Sequence, residues 1–265
     1  MKKNIPKFVY KYRPAKLEEH VQPGTGSLDR IRGMIEGREI FFGSSFSFND
    51  PFDCRPVTSL NCSAEEFLRI CVERTNASRG PDAAALVEAK IRSTLGTTED
   101  LRDPANLARL EAMMAKSISE LGVFCAAASP DNSLMWSHYS ENFSGVCLEY
   151  DTSVFNDLRK VSYLRKRPVV DMLPGGDSLA VQIEKIFYSK SKVWKYEDEW
   201  RAIGPRGVNV FTGHAVTRVL FGQNCKAEIR GIIAGYVKSS GAPIGFAEVR
   251  PDSRSYRLNI VDLQE

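Results

Sequence analysis

The sequence predicts an α+β fold, and three observations carry that prediction. Runs that alternate with period two and runs with helical spacing both occur, but not in the regular βαβ order of a parallel sheet. The stretch from 63 to 121 changes character and is helical in pattern throughout. No internal repeat or low-complexity tract breaks the 265 residues. A hydrophobic content of 43% suffices for one large core, so residues 1–265 read as a single domain carrying a helical insert at about 63–121.

The elements follow in order. Phe8 to Tyr12 is a strand rich in aromatic and β-branched residues, with Tyr10 and Tyr12 on one face, Lys11 on the other and Pro14 as its stop. Ser27 is expected to cap a helix whose apolar residues Leu28, Ile31, Met34 and Ile35 recur at helical spacing, with Gly37 at the exit, and a strand from Glu39 to Gly43 comes next. The segment SSFSFNDPFDC is dense in turn formers, so it reads as a loop anchored to a core by Phe46, Phe48 and Phe52. Asn49 and Asp50, ahead of Pro51, suit a turn and equally suit a ligand contact.

Within the insert, a capping box at Ser63 and Glu66, a stop at Gly96 and a start at Asp103-Pro104 define three helices. Their buried faces are expected to use Phe67, Ile70, Leu86, Ile91, Leu107, Leu110 and Met114. Gly122 to Ala128 and Gly145 to Tyr150 are apolar strands expected to be neighbours, and the segment between them crowds Trp136, His138 and Tyr139 together. Val161 to Leu164 is a short strand flanked by Arg159, Lys160, Arg165, Lys166 and Arg167, the densest basic patch and the natural landing point for a phosphate-rich partner. Ile183, Ile186, Phe187 and Trp194 predict a helix from Leu179 to about Trp194. A strand from Val216 to Phe221, a helix capped by Asn224 and strands near Phe246 and Leu258 complete the chain.

Composition excludes several classes. A net charge of +3 is too mild to announce a nucleic-acid binder. The six cysteines form no C-x-x-C pair and only three histidines are present, so no metal is expected. The basic start lacks a signal-length apolar run, and no apolar stretch of about 18 residues occurs, which predicts a cytoplasmic chain with reduced thiols and no membrane partner. Motifs for nucleoside triphosphatases, zinc proteases and α/β-hydrolases are missing, and PGTGSLD has Asp29 where a dinucleotide fingerprint needs glycine.

The most informative stretch is KVWKYEDEWR, Lys192 to Arg201. Read as the start of a strand, it sets Glu197, Glu199 and Arg201 on one face and turns Trp200 and Ala202 toward a core. A solvated strand with a Glu–Arg pair explains these residues without a ligand.

In order and spacing, YKYR, FFGSSFSFNDPFD, LMWSHYSENFSGVCLEY, KVWKYEDEWR and VLFG resemble a bacterial family of unknown function, domain family 2971, found near abortive-infection and phage-defence genes. More distantly, the opening aromatic strand, the N-D-P loop and the late E-x-E strand resemble the ADP-ribosyltransferase superfamily. That resemblance implies a split mixed/antiparallel β-sheet core and NAD as the substrate. It makes Glu199 the catalytic glutamate that binds the ribose, and Glu197 the group that orients or deprotonates the acceptor. Tyr10, Tyr12 or Tyr139 would stack on nicotinamide and Arg13 or Arg201 would pair with the pyrophosphate, with Asn49, Asp50, Trp136 and His138 completing the NAD site. Cleavage to nicotinamide develops positive charge on the ribose, which a carboxylate stabilises more than it stabilises the ground state.

The element order is similar to that of toxins that modify single-stranded DNA. A macromolecular acceptor, nucleic acid or protein, is therefore expected, with an antitoxin or sensor as partner and a role as toxin or antiphage effector. Two other classes fit the same residues. One is a non-catalytic module binding nucleic acid or phage protein through Arg159 to Arg167, marked by salt-sensitive binding without NAD turnover. The other is a nuclease or hydrolase using Glu197, Glu199 and Asp50 around a divalent ion, marked by loss of activity in chelator.

Overall fold

A computed structural model describes residues 5–17, 26–59, 62–95, 104–171 and 177–264. The chain begins with β1 (Phe8–Arg13), α1 (Ser27–Ile35) and β2 (Glu39–Ser44), then runs through β3 (Val57–Ser59) into α2 (Ala64–Arg79), α3 (Pro81–Leu95) and α4 (Pro104–Ser119). Next come β4 (Leu121–Ala127), α5 (Ser133–Tyr139), β5 (Val146–Asp151), β6 (Leu158–Lys160), β7 (Ser162–Leu164) and β8 (Val169–Asp171). The remainder is α6 (Leu179–Phe187), β9 (Ser189–Ser191), a 3₁₀ segment at Lys192–Glu197, β10 (Glu199–Pro205), β11 (Gly207–Val210), β12 (Val216–Phe221), α7 (Ala227–Ser240), β13 (Gly245–Pro251) and β14 (Leu258–Asp262). The fold is α+β.

Local chemistry sets many of these limits. Ser63 starts α2 by accepting the Glu66 N–H, and Asn132 starts α5 by accepting the N–H groups of Leu134 and Met135. Gly241 ends α7 in the left-handed region at φ 65°. Several expectations need correction. The strands β4 and β5 are not neighbours, because β1 lies between them, and Gly26 rather than Ser27 is the N-cap of α1. The helix α6 stops at Phe187, not near Trp194, because Tyr188 leaves helical geometry and its carbonyl accepts the Ser162 N–H at 2.7 Å. The expected strand from Val161 to Leu164 is β7, and a separate strand, β6, precedes it at Leu158–Lys160, where only a basic flank was expected. Lys226, not Asn224, is the N-cap of α7, and the Asn224 side chain instead donates to the Asn142 carbonyl.

The chain forms two compact units. The first comprises Met1–Gly43, Gly122–Val161 and Val193–Glu265. Its ten-stranded sheet runs β11-β2-β4-β1-β5-β12-β13-β14, with β10 paired to β4 and β6. β12 and β13 are parallel, whereas β1–β5, β5–β12 and β13–β14 are antiparallel, so the sheet is mixed. Alternation divides it into two faces. Val9, Phe124, Leu148, Val219 and Trp200 pack with Ile31 and Ile35 of α1 and Ile229 and Ile233 of α7. On the other face Tyr12, Ala127, Cys147, Leu220 and Ala247 pack with Met135 and Trp136 of α5.

The second unit comprises Ser44–Leu121 and Ser162–Lys192. It holds α2, α3, α4 and α6 with two parallel pairs, β3–β8 and β7–β9. Phe67 and Ile91 are buried and Ile70 is half-buried, but Leu86 is 74% exposed, a correction to the expected buried face. The side chains of Leu107, Leu110 and Met114, with Gly96 and Asp103, lie outside the described residues. Phe46 and Phe52 do not anchor the N-D-P loop in a core: both are exposed, with the Arg55 guanidinium 5.1 Å above the Phe46 ring and the Arg167 guanidinium 5.8 Å above Phe52.

Candidate functional site

The sheet face beneath α5 collects Tyr10, Tyr12, Trp136 and Tyr139 from the residues singled out by sequence. Tyr12 and Trp136 meet edge to face at 5.2 Å, and both polar tips are satisfied. Tyr12 donates to the Ser129 carbonyl at 2.9 Å and Trp136 Nε1 to that of Pro130 at 2.7 Å. Phe143 stacks on Trp136 at 5.9 Å. It belongs to an unusual turn in which Glu141, Asn142 and Phe143 take φ values of 55°, 53° and 64° in succession. Such backbone persists only where its surroundings over-determine it. Here the Asn142 N–H donates to Ser137 O, the Phe143 N–H to Trp136 O, and the Asn224 N–H to Phe143 O.

On β10, Glu199 and Arg201 point to this same face while Trp200 and Ala202 enter the opposite core, as alternation predicts. Arg201 Nε and Nη2 donate to the two oxygens of Glu199 at 2.8 and 2.9 Å, a bidentate pair with Arg201 fully buried. The expectation that Glu197 extends the strand is corrected. Glu197 ends the 3₁₀ segment, and Asp198 stands between the glutamates at φ 42°. Asp198 is held there by its carbonyl, which accepts the Ala128 N–H at 3.0 Å, and by its carboxylate, which meets Lys160 at 2.7 Å.

Glu197 accepts the Tyr139 hydroxyl at 2.6 Å. Outside this pair lies an aromatic rim. Exposed His138 has its ring 6.1 Å from Tyr196, and Trp194 lies 5.9 Å from the same tyrosine. Asn132 fixes the approach by donating to the Tyr196 carbonyl at 2.5 Å.

Two residues beside Glu199 were not expected at the site from the sequence. The Cys125 thiol hydrogen-bonds to Glu199 and is pushed well above its usual range, first by burial and then by that carboxylate. Lys11 donates to the Cys125 carbonyl at 2.5 Å, with its ammonium 5.1 Å from the centre of the Phe124 ring. Burial first, then the nearby Arg13, bring its pKa down to about 8. A third missed group is Glu149, which the register sets between Tyr10 of β1 and Arg218 of β12. It accepts from Tyr10 at 3.1 Å, from Thr217 at 2.9 Å and from Arg218 at 2.8 Å. Burial and then Glu149 push the Tyr10 hydroxyl up to about 12. A lone carboxylate in the apolar run VCLEYD was the available signal for it.

The other expected site residues are dispersed. Arg13 projects to the face opposite Tyr10 and Tyr12, among buried groups that include Tyr150. Asn49 and Asp50 belong to the second unit, where Asp50 closes a turn by accepting the Phe52 N–H at 2.9 Å. The basic patch is split. Arg159 and Lys160 lie on β6 in the first unit, engaged with Asp157 and Asp198 at 2.7 Å each, whereas Arg165, Lys166 and Arg167 belong to the second unit. Among the described residues, no three His, Cys, Asp or Glu side chains assemble as a metal site, and no helix is long and apolar enough to cross a membrane.

Residues 135–202, which run from within α5 through β5 to the E-x-E segment, match a family described as a protein of unknown function, DUF2971. No curated protein and no solved structure matches the chain. The matched segment is the one that carries the Tyr139–Glu197 and Glu199–Arg201 pairs.

Proposed function

We propose that this chain is an ADP-ribosyltransferase-like enzyme that transfers ADP-ribose from NAD to a macromolecular acceptor, nucleic acid or protein. It would act in the bacterial cytoplasm as a toxin or antiphage effector restrained by an antitoxin or sensor. The observation that carries the reading is the Tyr139–Glu197 hydrogen bond at 2.6 Å beside the His138, Tyr196 and Trp194 rim. It joins a carboxylate to flat aromatic surfaces suited to a nicotinamide ring.

The roles differ from those implied by the resemblance. Glu199 already has its charge met by the Arg201 guanidinium through two hydrogen bonds, so its field at a developing cation is largely cancelled. Glu197, oriented by its hydrogen bond from the Tyr139 hydroxyl, is the group assigned to stabilise the positive ribose as the bond to nicotinamide breaks. Nicotinamide leaves with the bonding electron pair, the acceptor nucleophile bonds to the ribose carbon, and the proton it loses passes to His138. Glu199–Arg201 is the platform on which this segment rests.

The test is mass spectrometry of wild-type, Glu197→Gln and Glu199→Gln protein incubated with NAD and bacterial lysate, following free nicotinamide and ADP-ribose adducts. The expected result is adduct formation by wild type and a loss of roughly a hundredfold or more in Glu197→Gln at unchanged thermal stability. Absence of nicotinamide release by wild type, or full activity of Glu197→Gln, overturns the reading.

A further inference from the structure

The second unit contains a cavity of about 230 Å³ that the activity proposed above does not use. Three segments distant in sequence build it. The β7–β9 pairing sets Leu164 beside Ser191, so the loop after β7 delivers Arg165, Lys166 and Arg167 to one side while Ser189 to Ser191 form another. Arg167 ties this loop to the N-D-P segment, donating through Nε and Nη2 to the Arg55 carbonyl at 2.9 and 2.6 Å and to the Pro56 carbonyl at 3.1 Å. Cys54, also in the wall, holds φ 55°, a conformation that costs a non-glycine residue energy and is retained where its surroundings demand it.

Six cations line this small space: Arg55, Arg165, Lys166, Arg167, Lys185 and Lys190. Lys185 is met by Asp177 at 2.5 Å and Lys190 by Asp53 at 3.5 Å. Among the described residues no carboxylate pairs with the other four. Arg167 is engaged with the Arg55 and Pro56 carbonyls, which leaves Arg55, Arg165 and Lys166 facing the cavity with no acidic partner among the described residues, the electrostatic condition of an anion site. Three of the four are guanidinium groups, whose planar donors match phosphate oxygens. The rest of the wall combines Ser189 and Ser191 with apolar side chains, among them Phe52, which is 59% exposed.

We propose that this cavity binds a nucleoside phosphate, with the phosphate among Arg55, Arg165 and Lys166 and the base against Phe52. The site stands independently of ADP-ribosyl transfer, since every lining residue belongs to the second unit. It also accounts for the basic run of the sequence more closely than an open nucleic-acid face does, because Arg159 and Lys160 already have acidic partners in the first unit.

Isothermal titration calorimetry of the full chain with AMP, adenosine, inorganic phosphate and a 5′-phosphorylated dinucleotide tests this. AMP is expected to bind more tightly than adenosine or phosphate, with an affinity that falls as salt rises. Comparable binding of the dinucleotide identifies the end of a nucleic-acid strand as the source, and its exclusion identifies the free nucleotide. The double variant Arg165→Ala/Lys166→Ala alters two exposed side chains and is expected to bind AMP at least roughly tenfold more weakly at unchanged melting temperature. Phe52→Ala is expected to bring AMP affinity toward that of inorganic phosphate. AMP binding no tighter than adenosine, or unaltered in the double variant, overturns the site. AMP affinity unaltered in Phe52→Ala overturns the assignment of the base.

Discussion

Arg201 has no exposed surface, and the charge it carries into the sheet is met by Glu199. Removing one member of such a pair costs more than the pair itself contributes, because the survivor keeps its desolvation penalty. Glu199→Gln is therefore expected to lower unfolding free energy by about 3 kcal/mol in urea titration. A midpoint equal to wild type would show that the pair does not support the fold. Although the salt bridge read from the sequence was Glu197 with Arg201, the shared face of Glu199 and Arg201, with Trp200 opposite, was legible there, since period-two geometry is local. The partner of Glu197 was not. Tyr139 lies on α5, and no spacing rule links a helix residue to a carboxylate 58 positions later. Phe46 and Phe52 misled for a related reason: aromatic residues in a polar loop suggest anchors, but here they lie under arginines.

At the scale of the element, the joint between the 3₁₀ segment and β10 decides where the two glutamates go. Asp198 occupies left-handed backbone there, which aspartate tolerates better than most residues and glycine tolerates freely. Asp198→Gly and Asp198→Ala both delete the exposed pair with Lys160, so the difference between them isolates the backbone term. Asp198→Gly is expected to be the more stable by about 1 kcal/mol in denaturant unfolding. Equal stability would mean that φ 42° costs alanine nothing. Most strands and helices were legible from periodicity and capping, α2 and β12 among them. The early stop of α6 and the break between β6 and β7 were not, because a hydrogen bond between Ser162 and Tyr188, far apart in sequence, sets both.

Across the whole molecule, buried acids with raised pKa values tie stability to alkaline pH. Burial raises Cys125 and Cys147 above 9.0 and Tyr12 and Tyr150 above 10.0. The folded chain keeps protons that the unfolded chain gives up, so their contribution is complete below about pH 9 and is lost as pH rises further. Lys11 acts oppositely. Its folded value of about 8 lies below 10.5, so its contribution rises between those limits. Four groups outweigh one, and the melting temperature is expected to fall from pH 9 to 11, more steeply in Lys11→Met. A flat profile would contradict the burial of these groups. The α+β class was legible from the mixture of periods. The division into two units was not, because it depends on contacts between remote segments. The chain passes between the units at Gly43/Ser44, Leu121/Gly122, Val161/Ser162 and Lys192/Val193. During synthesis every residue of the basic cavity is made before β10 to β14. A ribosome would thus release a complete phosphate site while the sheet that carries Glu199 and Arg201 still lacks half of its strands.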